Sequence, residues 1–272
     1  MTIKNLNKEK FIKITLDEVI PYMNTKILGS DYRYFDTIDS TNTYCKTLAK
    51  SNAKEGTLVI SEEQTKGIGT KGRSWSSPKG SGLWFSILLR PKMTVSDLGK
   101  IVIVTSSALC KTFENLKVNS KIKWPNDILV NGKKLCGILT EVKLKGDYID
   151  YIILGIGINV NVNYTDFNDN LKLTATSLKI ELSREISRPY ILGTFLNFFE
   201  RFYTEMLNNS SLEYFKIYKE NSFIINKTVN IIKNNNIESV TVLDFDLEGF
   251  IIVKDLNGVI KKISSGEVSL RF

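Results

Sequence analysis

Ile122-Lys-Trp-Pro-Asn-Asp127, running on to Asn131-Gly-Lys-Lys-Leu-Cys-Gly-Ile-Leu-Thr-Glu141, is the stretch around which the rest of this chain can be organised. Pro125 fixes its own φ and pushes Trp124 toward extended backbone. Asn126 and Asp127 then fall at a junction between strands, where their side chains can point at a ligand. The pattern predicts strands over 121–124, 127–130 and 134–143. The last two are joined by Asn131-Gly132, the dipeptide that a type I′ hairpin prefers because both turn residues need positive φ. Lys133 and Lys134 open the return strand, and Gly137 leaves room for a ligand or another backbone. Taken alone, the stretch is equally a tight hairpin with solvated lysines and a core tryptophan.

Upstream, a short helix is expected over 16–23 and a strand over 32–38. Asp39-Ser-Thr-Asn42 supplies a cluster of helix N-cap residues for a helix through 44–50. A strand over 57–62 leads into residues 64–80, which lack periodicity and exceed an ordinary connection in length. Within them, Gly67, Gly69 and Gly72 let backbone N–H groups approach an anion, and Lys71 and Arg73 add positive charge. A surface loop with incidental glycines is the plain alternative. After a strand over 83–90, Leu98, Ile101, Val102, Thr105, Ala108, Leu109 and Phe113 sit at helical spacing and predict a helix over 95–116.

Downstream, residues 148–160 continue the sheet. Gly155 and Gly157 inside an apolar strand mark either a bulge or a close approach, and Asn159 at its end is a candidate partner for a purine or ribose. A polar loop over 161–174 precedes a helical stripe of Ile191, Leu192, Phe195, Leu196, Phe199, Phe202, Met206 and Leu207. After Asn221 the texture changes to short β-rich runs at 228–233, 239–244, 250–254, 259–263 and 268–272. With turn signals between them, they predict a small closed barrel. Residues 1 to about 12 read as a frayed start.

Composition narrows the chemistry. The 272 residues suffice for one large domain and a small second one. With no histidine, Ser-His-Asp and Cys-His mechanisms and His-ligated metals are excluded. Cys45, Cys110 and Cys136 are far apart and odd in number, which indicates neither a zinc site nor a disulfide framework. No apolar run approaches the roughly 20 residues of a membrane span, and the N-terminus is not a secretory signal, so a cytoplasmic protein is expected. The net charge of +8 admits nucleic acid, anionic substrates or simple solubility.

Ser40-Thr-Asn42, Gln64, the Gly67–Trp75 loop, Lys123–Asp127, Lys134-Leu-Cys-Gly137, Gly155–Asn159 and Gly266-Glu-Val-Ser-Leu-Arg271 occur in the order seen in biotin–protein ligases. Together they make residues 30–272 resemble that family. The resemblance implies an α+β fold: a catalytic domain like that of class II aminoacyl-tRNA synthetases, a mixed sheet with helices, followed by a small SH3-like β-barrel. The expected divisions are an N-terminal extension at 1–29, a catalytic domain at 30–221 and the barrel at 222–272. The implied reaction uses ATP to activate biotin as biotinyl-5′-AMP and transfers biotin to a lysine of a biotin carboxyl carrier domain of a carboxylase or decarboxylase. By the same resemblance, Lys134 and Arg73 are the catalytic pair. Ser40, Thr41, Asn42, Gln64, Ile68, Gly69, Thr70, Lys134 and Gly137 would bind biotin. Gly67, Gly72, Arg73, Trp75, Asn126, Asp127 and Asn159 would bind the nucleotide, with Mg²⁺ on its phosphates and no metal site built by the protein alone.

Two features qualify the resemblance. The family loop usually reads Gly-Arg-Gly-Arg, whereas Ile68 and Thr70 replace those arginines here. Each lost charged hydrogen bond, worth about 1.5–3 kcal/mol, would weaken the hold on the adenylate by roughly ten- to a hundredfold, or would mark a weakly active paralogue. Longer relatives carry a winged helix of about sixty residues before the catalytic domain. The short stretch before Tyr34 matches the short form, so no sequence-specific DNA binding is expected, and the chain would act as a monomer or weak homodimer. A lipoate–protein ligase would share the chemistry, but its Arg-Arg-x-x-Gly-Gly-Gly loop and histidine are missing. A basic nucleic-acid-binding module is the reading from a different class.

Overall fold

The computed structural model describes residues 11–233, 236–264 and 269–271; residues 1–10 of the frayed start expected over 1 to about 12, and Gly266-Glu-Val268 of the terminal motif, lie outside the described residues. Strands β1 (Tyr32–Phe35), β2 (Leu58–Ser61), β3 (Leu83–Leu89), β4 (Ser120–Lys123), β5 (Asp127–Val130), β6 (Lys133–Lys145) and β7 (Tyr148–Ile158) form one sheet in the order β1-β2-β3-β7-β6-β5-β4. β1 and β2 pair in parallel and the other neighbours antiparallel, so the sheet is mixed. The helices are α1 (Leu16–Val19), α2 (Thr41–Lys50), α3 (Leu98–Glu114), α4 (Asp169–Lys172), α5 (Leu178–Leu182), α6 (Arg188–Asn208) and α7 (Glu213–Glu220). Strands β8 (Thr228–Lys233), β9 (Asn236–Phe245), β10 (Ile251–Asp255), β11 (Ile260–Ile263) and β12 (Ser269–Arg271) make a second, antiparallel sheet in the order β11-β10-β9-β8-β12.

Alternation along the strands separates the two faces of the large sheet. Leu58, Ile60, Phe85, Ile87, Leu154, Ile156, Ile138 and Ile128 join one buried cluster with the apolar stripes of α3 and α6. Phe85 meets the Phe195 ring at 5.6 Å. The other face is covered over part of its area by α2, whose Cys45 and Ala49 pack on Val59, Leu88 and Ile153. Beyond α2 that face is open to a long loop, and the candidate site lies there.

The elements follow the sequence closely, with local departures. The helix expected over 95–116 starts as a 3₁₀ turn, Val95–Asp97, because Thr94 and Asp97 close a capping box before α3 begins. The polar loop 161–174 contains the short α4, capped by Asn168. The hairpin turn has Asn131 and Gly132 at φ 50° and 77°, as the dipeptide required. The smaller sheet docks behind this hairpin. Trp124 Nε1 donates to the carbonyl of Gly249 at 3.0 Å, and a Cβ on Gly99 of α3 would lie 1.8 Å from the carbonyl oxygen of Glu248. No helix among the described residues is long and apolar enough to cross a membrane.

A buried ion pair fastens the N-terminal segment. Arg188 opens α6 and meets Glu62 at 2.6 Å, with side chains 3% and 0% exposed. Glu62 also accepts from the Ile14 N–H at 2.9 Å, and Arg188 donates to the Ile12 carbonyl at 2.6 Å and that of Gly82 at 3.2 Å. Charges this deep are tolerated because every partner is satisfied. Arg188→Met keeps the bulk but leaves the Glu62 carboxylate buried without its cation. It is expected to lower stability by about 3–5 kcal/mol, read as a lower urea midpoint at unchanged slope. A loss below about 1 kcal/mol would show that the pair does not hold this segment.

Candidate active site

Three cross-strand rows share the face of the sheet on which the site lies. Trp84, Gly157, Gly137 and Asp127 form one; Ser86, Gly155 and Leu139 the next; Leu88, Ile153 and Glu141 the third. The glycines in the first two rows make a hollow, and other parts of the chain reach into it. A Cβ on Gly155 would stand 2.2 Å from Asn42 Oδ1; one on Gly157 would stand 2.5 Å from Trp75 Cε2, and one on Gly137 2.8 Å from Trp75 Cζ3. The two glycines inside the apolar strand are therefore there for close approach.

Lys134 reaches this face through a β-bulge. In a regular strand, residues three apart point to opposite faces, so Lys134 would point away from Gly137. Here Ile128 pairs with Cys136 and Leu129 with Lys134, which leaves Leu135 as the extra residue and turns Lys134 onto the site face. The turned backbone is clamped from outside: Lys134 N–H donates to the Thr174 carbonyl at 2.7 Å and Thr176 N–H to the Lys134 carbonyl at 2.9 Å. The ammonium lies 2.6 Å from Asp127 Oδ1 and 5.1 Å from the centre of the Trp75 ring.

The long loop folds back as an irregular hairpin. Gly69 N–H donates to the Arg73 carbonyl at 2.6 Å and Trp75 N–H to the Gly67 carbonyl at 2.8 Å. Lys71 and Gly72 turn its tip at positive φ. At its base, Gln64 accepts from Thr41 N–H at 2.9 Å and Thr41 Oγ1 at 3.1 Å, and donates to Ser77 Oγ at 2.9 Å. Ser40 caps α2 by accepting from Thr43 N–H.

Two cavities meet at this point. The smaller, about 460 Å³, has walls from Ser40, Thr41, Asn42, Gln64, Ile68 and Gly155 among others. The larger, about 1230 Å³, takes Arg73, Lys123, Leu129, Asn159, Phe167 and Ala175 into its walls. Gly69, Thr70, Trp75, Asp127 and Lys134 line both. Lys134 is the cation lining the smaller cavity, and Asp127 the carboxylate lining either one, among the described residues. Trp75 Nε1 is buried at the junction without an acceptor among the described residues, which leaves a donor for a ligand oxygen.

The structure brings Ser40, Thr41, Asn42, Gln64, Ile68, Gly69, Thr70, Lys134 and Gly137 to the smaller cavity, and Arg73, Trp75, Asp127 and Asn159 to the larger. Asn126, expected toward the nucleotide, lines the smaller cavity, and its amide is committed to the Ile138 carbonyl at 2.7 Å. Gly67 and Gly72 line neither and shape the loop instead. Asn159 donates to the Thr176 carbonyl at 3.0 Å, so it ties the clamp segment to the larger cavity. Sequence reasoning missed Ser86 and Glu141, which bond Asn42 from below. Their signal was their register opposite Gly155 and Ile153, which a single sequence does not reveal. Cys136, beside the site in sequence, points into the core, where burial pushes its thiol well above the usual range and removes it as a nucleophile.

Comparison with known proteins adds to this geometry. Residues 34–159 match the Biotin/lipoate A/B protein ligase family, and residues 224–271 match the Biotin protein ligase C terminal domain. The bifunctional ligase/repressor BirA of Bacillus subtilis is 34% identical over 259 residues, 95% of this chain and 79% of that protein. That of Escherichia coli is 26% identical over 265 residues, 94% and 81% of the respective chains. Among solved structures, a biotin protein ligase from Aquifex aeolicus in complex with biotin and ATP superposes with a TM-score of 0.76 at 27% identity. It covers 89% of this chain and 99% of that one.

Gly157→Ala tests the close packing of the hollow. The added methyl overlaps the indole of Trp75 and should cost about 1–3 kcal/mol, while tryptophan emission moves to longer wavelength as the ring is pushed toward solvent. An unchanged spectrum and unchanged stability would contradict the contact.

Proposed function

The chain belongs to the biotin–protein ligase family, and from that premise we infer the work its two joined cavities do. It is a ligase that activates biotin with ATP and transfers the biotinyl group to a biotin carboxyl carrier protein. The observation that best supports these roles for the site is Lys134, set between a small polar hollow and a larger cavity. The biotin ring is assigned to Ser40, Thr41, Asn42 and Gln64, with its carboxylate directed at Lys134. ATP is assigned to the larger cavity, its base and ribose near Trp75 and Asn159 and its phosphates near Arg73 and Lys134.

A biotin carboxylate oxygen attacks the α-phosphorus, the bond to the β-phosphate oxygen breaks, and pyrophosphate leaves. Lys134, Arg73 and the loop amides hold the charge that spreads over the phosphoryl oxygens, a task of positioning and electrostatics that needs no nucleophilic side chain. Trp75 Nε1 has an unfilled bond to give to an oxygen of the joined molecule. Asp127 is the carboxylate that would face a magnesium ion carried on the nucleotide, which would supply neutralisation of phosphate charge and would be held mainly by phosphates and water. In the second step the neutral amine of the acceptor lysine attacks the acyl carbon, the anhydride C–O bond breaks, and AMP departs with the release of a proton. The lipoate alternative is less well supported, because the named relatives and the bound ligands of the Aquifex structure are those of biotin ligases.

We take residues 30–221 as the catalytic unit and 222–272 as the C-terminal one. Three free, buried cysteines suit a reducing compartment, and we assign the protein to the cytoplasm. The assay is transfer of biotin to a recombinant carrier domain, which should require both ATP and biotin. Lys134→Ala should lower it by about a hundredfold; labelling that persists in that variant, or fails in the parent protein, overturns the assignment.

Ile68 and Thr70 line the smaller cavity without a guanidinium. Release of biotinyl-adenylate is therefore expected to be fast for this family, and Thr70→Arg should slow it about tenfold or more in a stopped-flow chase. An unchanged release rate would mean that the missing arginine is not what sets retention.

A further inference from the structure

Beneath the smaller cavity, polar contacts lead from Thr41 and Asn42 to Ser86 and Glu141, two groups that the adenylation scheme does not use. Asn42, 4% exposed, lies over Gly155 on the floor of the hollow. Its Oδ1 accepts from Ser86 Oγ at 2.5 Å, and its Nδ2 donates to Glu141 Oε2 at 2.8 Å. Ser86 is fully buried and also contacts Thr41 Oγ1 at 2.8 Å. Glu141 is balanced on its outer side by Lys46 at 2.6 Å, both side chains being partly exposed at 29% and 37%.

The two partners of Asn42 are not equivalent. A serine hydroxyl donates or accepts, so Ser86 tolerates either orientation of the amide. An ionised carboxylate only accepts. Glu141 therefore fixes the sense of the amide, with the NH₂ turned toward β6 and the oxygen toward β3. One N–H and one lone pair of Asn42 remain, and Asn42 lines the cavity. That pair complements a group carrying an N–H and a carbonyl in a cis arrangement, as in a cyclic urea. A hydrocarbon or disulfide ring offers neither.

We propose that Glu141 is a positioning residue that acts through Asn42, with Ser86 as its counterpart, and that it makes the smaller cavity selective for a cyclic urea head group. The inference rests on the assignment of biotin to this cavity. Once Glu141 is removed, Asn42 loses its charged partner and is free to turn over. The turned amide presents a donor where the ligand has a donor and an acceptor where it has an acceptor. Sites built on such bonds discriminate strongly, because a mismatched buried group is left unpaired.

Pyrophosphate release with varied biotin and varied ATP separates the possibilities. Glu141→Ala should raise KM for biotin about tenfold or more, while KM for ATP, kcat at saturating biotin and the melting temperature stay within about twofold or a few degrees of the parent. Glu141→Gln can bond Asn42 in either sense and should give a smaller rise, and it remains informative should the alanine variant fold poorly. Lys46→Ala keeps the carboxylate and its bond to Asn42, so its effect should be smaller than that of Glu141→Ala. A biotin KM unmoved in both Glu141 variants, or one that rises in step with that for ATP, overturns the positioning role. If the parent protein releases no pyrophosphate in response to biotin, it is the underlying assignment that fails.

Discussion

Chemistry at this sheet depends on side chains that are missing. Gly137, Gly155 and Gly157 lie on adjacent strands, on the face turned away from the long helices. A methyl group at any of them would overlap Asn42 or Trp75. The hollow they leave takes in one polar side chain and one indole, and the indole stands where the small compartment meets the large one. The opposite face of the same strands carries isoleucine, leucine and phenylalanine packed on α3 and α6, so rigidity on one side supports an open surface on the other.

The electrostatics follow from the same economy of groups. With histidine absent and Cys136 turned into the core, where burial pushes its thiol well above the usual range, neither an imidazole nor a thiolate faces the cavities among the described residues. What does face them is a lysine held against an aspartate, loop amides and a row of hydroxyls and amides. Such a set suits a reaction in which the substrates bring their own nucleophile and leaving group, and in which the protein aligns them and absorbs charge.

Much of this was legible in the sequence. The Asn131-Gly132 turn, the N-cap cluster at 39–42, the apolar spacing of the long helices and the ordered motifs identified the elements and most of the wall residues, because each is a local signal. Three things were not legible. The bulge at Leu135 turns Lys134 to the working face, and strand periodicity alone would have turned it away. Ser86 and Glu141 became visible through register, since each is an unremarkable polar residue until paired opposite Gly155 and Ile153. Asn126 carries a motif position, yet it staples its own strand junction through Ile138. In each case cross-strand geometry decides the matter, and one-dimensional spacing does not encode it.

The bond from Trp124 to the carbonyl of Gly249 bears on how freely the two sheets could be exchanged between relatives. The tryptophan sits three residues before Asp127, where the hairpin that carries it toward Lys134 begins, and its only indole donor is met by a turn of the smaller sheet. The same turn fits against a side-chain-free position near the start of α3. A transplanted C-terminal unit would have to reproduce the path of residues 246–249 as well as its own core, or the tryptophan would lose its partner and the hairpin its backing. The small sheet is thus part of the foundation of the larger one, although each keeps its own ladder of paired strands.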